Sequence, residues 1–388
     1  MDAITRLKLL SAQMHLEPAE DAHCPKLADT SPVGKKREAL NISHGVLPNG
    51  KRISLLKTLQ TSACERNCYY CPFRAGRDFR RATFQPDEMA HTFMALNRAG
   101  IAEGIFLSSG IIKGGANTQE KMLDTAEILR QRLGYQGYLH LKIMPGAERG
   151  QVLRAMQLAD RVSINLEAPN TNRLLKLAPR KEFTEELMEP LRWMDEIRKS
   201  QPRHLAWKGY WPSSVTQFVV GGAGESDVEL LTTSDFLYKE LHIKRAYFSA
   251  FTPLPDTPLE NHPPTSPKRE LRLYQASYLL RDYGFMAEEM PFDEKGNLPI
   301  QEDPKTAWAQ LNLTDSPVNI NQAGRQELMR IPGIGIKGAE QILSARRSGQ
   351  RIRLHDLGDL RKIGINASRA APFILLDGKR PSYQLGLW

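Results

Sequence analysis

The chain has 388 residues, of which 41% are hydrophobic and 25% are charged, and its formal net charge is +9. This composition excludes a disordered or fibrous protein and suits one large globular domain with a smaller one. Because no apolar run reaches about 18 residues and no signal-peptide pattern is present, we expect a cytoplasmic protein without a membrane partner. The positive charge favours polyanionic ligands wherever it is concentrated.

The predicted elements begin with an N-terminal extension, residues 1–49, which carries Cys24 and no motif. From about residue 52, short apolar runs alternate with segments of helical period, which predicts βα units and a parallel sheet. Six strands predict an α/β fold in residues 50–310, a partial (β/α)6 barrel like that of TIM, with its active site at the C-terminal strand ends. The six runs are RISLLKTLQ (52–60), GIFLSS (104–109), YLHLKIM (138–144), VSINLEA (162–168), VTQFVVGG (215–222) and RAYFSAFT (245–252).

Three of the four cysteines directly follow the first predicted strand, in the sequence CERNCYYC. Clustered thiols in a chain without an export signal indicate a metal site and not a disulfide framework. A closed zinc site needs four ligands, and no second cysteine pair is present. Three thiolates on a four-iron cluster would leave one iron open to a ligand that is not protein. A zinc knuckle remains the alternative interpretation.

The spacing CxxxCxxC, with the aromatic Tyr70 before the last cysteine, resembles the signature of the radical S-adenosylmethionine (radical SAM) superfamily. The resemblance implies that Cys64, Cys68 and Cys71 hold a [4Fe-4S] cluster whose open iron chelates SAM. It further implies reductive cleavage of SAM to a 5′-deoxyadenosyl radical that abstracts hydrogen from a substrate. A reductant protein such as flavodoxin or ferredoxin is the implied electron donor.

The same resemblance assigns SAM contacts to the ends of the predicted strands. Each assignment has a structural alternative, which is a tight turn, a buried polar pair or a surface arginine. The Ser-Ser-Gly sequence also departs from the two glycines and an acid usual at that place in the superfamily. The predicted contacts, besides Tyr70, are Ser108, Ser109, Gly110, Ser163, Asn165, Glu167, Arg180, Gly221 and Gly222.

A small all-α domain is predicted for residues 311–388, after a polar linker that contains proline. The sequence VNINQA followed by LMRIPGIGIKGAEQILSAR resembles the helix-hairpin-helix of DNA-binding proteins, and DLRKIGINASRA resembles a degenerate second copy. The resemblance places Gly333, Gly335 and Lys337 at the hairpin, whose amides suit a phosphate. These 78 residues hold 12 Lys and Arg against 6 Asp and Glu. A packing module remains the alternative to nucleic-acid binding.

The combination resembles radical SAM proteins associated with DNA modification or repair. We expect an enzyme that abstracts hydrogen from DNA, with an RNA or tRNA modifier, or an iron-sulfur DNA-binding regulator without turnover, as alternatives. Cys24 alone cannot hold an auxiliary cluster, and it is either a hydrogen donor or idle. The basic group RAGRDFRR (74–81) either lines a substrate channel or forms a solvated surface. The sequence specifies no oligomeric state.

Overall fold

The computed structural model describes residues 1–12, 14, 31–47, 50–347 and 354–382. The chain divides into two compact units, which we call unit 1 (Met1–Glu225 with Phe236–Ser266) and unit 2 (Ser226–Asp235 with Pro267–Trp388). Cys24 lies outside the described residues. No helix within the described ranges is long and apolar enough to cross a membrane.

Unit 1 is built on a curled sheet of seven strands that are hydrogen-bonded in chain order. The first strand pairs antiparallel with the second, and the five following pairs are parallel. The prediction of six parallel strands in a partial barrel is confirmed. The antiparallel first strand was not predicted, and it lies within residues 1–49, the predicted N-terminal extension. The strands are β1 (Ser43–Val46), β2 (Arg52–Leu59), β3 (Gly104–Ser108), β4 (Tyr138–Lys142), β5 (Arg161–Ser163), β6 (Ser213–Val220) and β7 (Arg245–Ala250).

The helices of unit 1 cover the parallel strands, which are buried along nearly their whole length, as expected for a sheet with crossover helices. Helix α3 (Pro86–Arg98) shows why the helices pack there. Its residues Met89, Phe93 and Leu96 recur at helical spacing and are all buried, so one face is apolar. The helices are α1 (Ala3–Ser11), α2 (Pro32–Ala39), α3 (Pro86–Arg98), α4 (Gly115–Glu127), α5 (Arg149–Leu158), α6 (Thr171–Leu177), α7 (Glu189–Ser200) and α8 (Asp227–Glu240), the last divided between the units.

Unit 2 is mainly helical, and it confirms a helix-hairpin-helix domain at the C-terminal end. The turn between helices α11 (Arg325–Arg330) and α12 (Ile336–Arg347) contains Gly333 at a φ of 84°. A Cβ there would lie 2.5 Å from the carbonyl oxygen of Asn366, so only glycine fits this turn. The elements are α9 (Pro267–Asp282), α10 (Pro304–Asn312), β8 (Val318–Asn319), α11 (Arg325–Arg330), α12 (Ile336–Arg347), α13 (Leu357–Lys362), α14 (Ala367–Ala370) and β9 (Ile374–Leu375), with β8 and β9 paired in parallel.

Candidate active site

The three predicted metal ligands lie on the loop after β2 and line one cavity. Cys68 is buried, and Cys64 and Cys71 are half-buried. Because β2 runs parallel to β3 and to the strands that follow, the loops after these strands meet at the same edge of the sheet. The cavity lining includes six more of the residues predicted to contact SAM: Tyr70, Ser108, Ser109, Gly110, Asn165 and Glu167.

Backbone amides point at two of the cysteine sulfurs. The amide of Ile111 donates to Sγ of Cys64 over 3.4 Å, and the amide of Phe73 donates to Sγ of Cys71 over 3.4 Å. Burial raises the pKa of the Cys68 and Cys71 thiols. Binding of a metal therefore has to displace protons from these thiols, and the amides then stabilise the thiolates.

Arginines from the predicted basic group hold the cysteine loop in shape. Arg81 donates to the carbonyls of four loop residues: Ser62, Phe73, Arg74 and Arg77. Arg77 donates to the carbonyls of Pro72 and Pro255. Since these two guanidiniums satisfy backbone carbonyls, they act in unit 1 as structural groups. Arg80 is exposed, so the alternative of a solvated surface applies to it.

The loops after β2 and β3 approach each other closely at Gly110. Its amide donates to the carbonyl of Thr61 over 2.7 Å. A Cβ on Gly110 would lie 2.2 Å from the carbonyl oxygen of Ala63, directly before Cys64. The Ser109 hydroxyl donates to the Gly110 carbonyl over 2.7 Å. Glycine at position 110 is therefore required for loop packing, independently of any contact with a ligand.

Glu167 forms a buried ion pair in the cavity. Its Oε1 lies 3.1 Å from Nζ of Lys181, and the two side chains are 5% and 9% exposed. Its Oε2 is buried and has no hydrogen-bond partner among the described residues. Burial alone lowers the pKa of Lys181, but the charges of Glu167 and Cys68 outweigh it and raise that pKa. The lysine thus stays cationic, and one carboxylate oxygen is left for another donor.

Lys181 is a site residue that the sequence did not single out. Arg180, which the sequence did single out, is exposed, and its carbonyl accepts from Arg66. Arg180 and Lys181 lie outside any helix or strand, so no helical or strand periodicity predicts which of the two side chains faces inward. Of these two residues, Lys181 is the one that is buried and lines the cavity.

Three other predicted SAM contacts are not among the described residues that line this cavity. The Ser163 hydroxyl lies 2.9 Å from Nε2 of His140 on the neighbouring strand. The amide of Gly221 donates to the Glu225 carboxylate. A Cβ on Gly222 would lie 2.9 Å from the Leu177 side chain. Hydrogen bonding and packing account for these residues, and their SAM contacts stay predictions.

The donor set fits a [4Fe-4S] cluster with SAM beside it. Three thiols in one cavity supply one thiolate for each of three irons. Within the described residues, no group of three or more His, Cys, Asp and Glu side chains converges on a single ion; a cluster does not require that, because its ligands bind different irons. The partnerless buried oxygen of Glu167 suits a hydroxyl donor.

Comparison with known protein families agrees with this geometry. A sequence model described as the radical SAM superfamily matches residues 59–237. The chain contains a radical SAM domain. Members of this superfamily use a [4Fe-4S] cluster and SAM. A second model, described as the helix-hairpin-helix motif, matches residues 314–374.

Several solved structures are similar to the radical SAM fold of this chain. HydG, a maturase of the [FeFe]-hydrogenase, is 10% identical over 58% of this chain and 49% of its own, with a TM-score of 0.46. HydG from Carboxydothermus hydrogenoformans is 13% identical over 58% and 51%, with a TM-score of 0.45. Methylornithine synthase (PylB) is 16% identical over 66% and 70%, with a TM-score of 0.44. The alignment thus spans about half the length of either HydG chain. No curated protein gives a significant match.

Proposed function

We propose that this chain is a radical SAM enzyme that abstracts a hydrogen atom from nucleic acid, with DNA as the substrate. The observation that carries the proposal is the presence of a radical SAM domain and a helix-hairpin-helix motif in one chain. The radical SAM domain would supply the hydrogen abstraction, and the helix-hairpin-helix motif suits contact with a phosphate backbone. A role in DNA modification or repair follows from this combination.

Cys64, Cys68 and Cys71 would hold the [4Fe-4S] cluster. When bound, the cluster and SAM supply reductive SAM cleavage, which yields a radical able to abstract hydrogen. A protein such as flavodoxin or ferredoxin would deliver the electron. Arg81 donates hydrogen bonds to the loop carbonyls, and two backbone amides donate to cysteine sulfurs. These contacts would keep the thiols in place before the cluster binds, so little reorganisation is needed.

Asn165 and Glu167 would accept hydrogen bonds from the ribose hydroxyls of SAM. Both line the cavity that contains the three thiols. Lys181 pairs with Oε1 of Glu167, while Oε2 is left for a hydroxyl donor. Hydrogen bonds to a charged acceptor are stronger than neutral ones, so this carboxylate would orient SAM firmly.

An apolar wall would keep water away from the radical. The cavity is lined on several sides by buried apolar side chains, and exclusion of water prevents side reactions of a reactive intermediate. The wall residues include Leu59, Ile111, Ile143, Met144, Val219 and Phe251.

The proposed phosphate contacts lie in unit 2, on and beside the hairpin. Helix α12 begins at Ile336, directly after the hairpin, so its first amides and the exposed Lys337 can meet one anion. Not every arginine is available: Arg330 pairs with Glu289, and Arg346 donates to the carbonyl of Ala323. Within the described residues 311–347 and 354–382, the exposed basic residues are Arg325, Lys337, Arg347, Arg361, Lys362, Arg369, Lys379 and Arg380. Three of them also pair with acids: Arg325 with Glu340, Lys362 with Asp359 and Arg369 with Asp303.

A salt titration tests the nucleic-acid contact. Binding of a labelled DNA oligonucleotide should weaken steeply between about 50 and 200 mM salt, because phosphate contacts release counterions. Lys337→Ala should weaken binding to a similar degree across DNA sequences and lower the salt slope by about 1. Fluorescence anisotropy measures both quantities.

The matched control is Lys8→Ala, which removes an exposed lysine from α1 in unit 1 and should leave the salt slope unchanged. Lys337 is preferred to Gly333 for this test, because any side chain at Gly333 would disturb folding. If Lys337→Ala and Lys8→Ala bind DNA like the unmodified chain across the titration, the hairpin is a packing module.

A further inference from the structure

Unit 2 contains a second cavity, lined by three tyrosines, with a volume of about 300 Å³. We call it the tyrosine pocket and define it by Tyr274, Tyr278, Tyr283, Asp303 and Lys305. Tyr274 and Tyr278 are four residues apart on α9, so they project from the same face of that helix. Tyr283 follows the end of α9, and the two polar residues come from the start of α10.

Two contacts place the tyrosine pocket beside the hairpin. Nζ of Lys305 donates to the carbonyl of Ile334 over 2.6 Å. A Cβ on Gly335 would lie 3.2 Å from the hydroxyl of Tyr283. Both Ile334 and Gly335 belong to the turn that precedes α12. The pocket residues Tyr283 and Lys305 therefore contact the residues directly before the first amides of α12.

Aromatic rings and basic side chains alternate in and around the tyrosine pocket. The ring centroids of Tyr278 and Tyr283 lie 6.1 Å apart. The guanidinium carbon of Arg281 lies 4.9 Å from the centroid of Tyr278, and Nζ of Lys305 lies 4.8 Å from the centroid of Tyr283. Tyr278 is 45% exposed. Exposed tyrosine faces beside cations are the surfaces on which proteins stack the bases of single strands.

We propose that the tyrosine pocket holds one unpaired nucleobase of the strand whose phosphates the hairpin binds. This proposal rests on the proposed function, and it specifies the substrate as DNA with an unpaired base. A base in an intact duplex is stacked and paired, whereas an unpaired or extruded base has a free face to offer. The chain should therefore prefer DNA that contains an unpaired base.

The surroundings of Lys305 suit a neutral ring better than a phosphate. Burial lowers the pKa of Lys305 to about 7, with Asp303 acting against this shift and Arg369 adding to it. Near neutral pH Lys305 is therefore cationic only in part, so it attracts a phosphate less strongly than a fully charged exposed lysine does. We therefore assign the phosphate to the hairpin amides and the base to the tyrosine pocket, both within unit 2.

Binding of three labelled DNAs tests the proposal: a paired duplex, the same duplex with one extrahelical 2-aminopurine, and the single strand. The full chain should bind the second and third more tightly than the first, and it should quench 2-aminopurine fluorescence by stacking. Tyr278→Ala should weaken binding to the bulged duplex by about 5- to 100-fold and remove the quenching. Tyr278→Phe should keep both.

The matched control is Tyr210→Ala, which removes a tyrosine that is 75% exposed in unit 1 and should change neither property. If Tyr278→Ala binds and quenches the bulged duplex like the unmodified chain, the pocket proposal is wrong. The nucleic-acid function would then still stand, provided that Lys337→Ala weakens binding. If the unmodified chain binds none of the three DNAs, both the pocket proposal and the proposed DNA substrate are wrong.

Discussion

Cys68→Ala should abolish cluster binding and reduce formation of 5′-deoxyadenosine to background. Cys68 is the most deeply buried of the three thiols, and two thiolates cannot anchor a cluster whose fourth iron must stay open. Anaerobic reconstitution followed by iron and sulfide analysis measures the cluster. Chromatography of the reaction with SAM and a reductant measures 5′-deoxyadenosine.

Cys24→Ala is the matched control for this experiment, because it removes the one cysteine outside the cluster motif. It should retain full iron content and SAM cleavage, and a changed nucleic-acid product without a loss of either would identify Cys24 as a hydrogen donor. A Cys68→Ala protein that still holds four irons and cleaves SAM would contradict the assigned ligands. Stoichiometric zinc in the unmodified protein would favour the zinc alternative.

Lys181→Met should lower the free energy of unfolding of unit 1 by about 3–5 kcal/mol, since it leaves the carboxylate of Glu167 buried without its cation. The double variant Lys181→Met with Glu167→Leu should recover much of that loss, because an apolar pair of similar volume needs no solvation. Urea denaturation followed by circular dichroism measures both variants.

The ligand role of the same pair is tested separately. Glu167→Gln keeps the shape of the side chain and removes its charge, so SAM should bind about 10- to 100-fold more weakly, while the iron content stays unchanged. Equilibrium dialysis with reconstituted protein measures this affinity. Unchanged SAM affinity in Glu167→Gln would leave the ion pair with a structural role alone.

The strands and the cysteine motif could be predicted because both signals are local in sequence. Each βα unit shows its own apolar run and helical period, and the CxxxCxxC spacing lies within one loop. The position of that loop at the C-terminal strand ends follows from the parallel order of the sheet. Residues at this edge, such as Asn165 and Glu167, could therefore be placed near the cysteines in advance.

Features that depend on contacts between distant segments could not be predicted. Lys181 faces the cavity and Arg180 does not, and only the folded loop decides between them. Gly222 is small because Leu177 and Phe251 pack against it. Strand β1 is four residues long and pairs at the sheet edge, so its sequence signal is too short to identify. In each case tertiary packing decides the outcome.

Transfer of hydrogen from DNA to the product of SAM cleavage is the step that defines the proposed enzyme. The most direct measurement uses reconstituted protein, a reductant, SAM and uniformly deuterated DNA, with mass spectrometry of the 5′-deoxyadenosine that forms. One deuterium should appear in 5′-deoxyadenosine with deuterated DNA and none with unlabelled DNA. If 5′-deoxyadenosine forms without deuterium from DNA but gains it from deuterated RNA, the substrate is RNA. If neither polymer donates deuterium, nucleic acid is not the substrate.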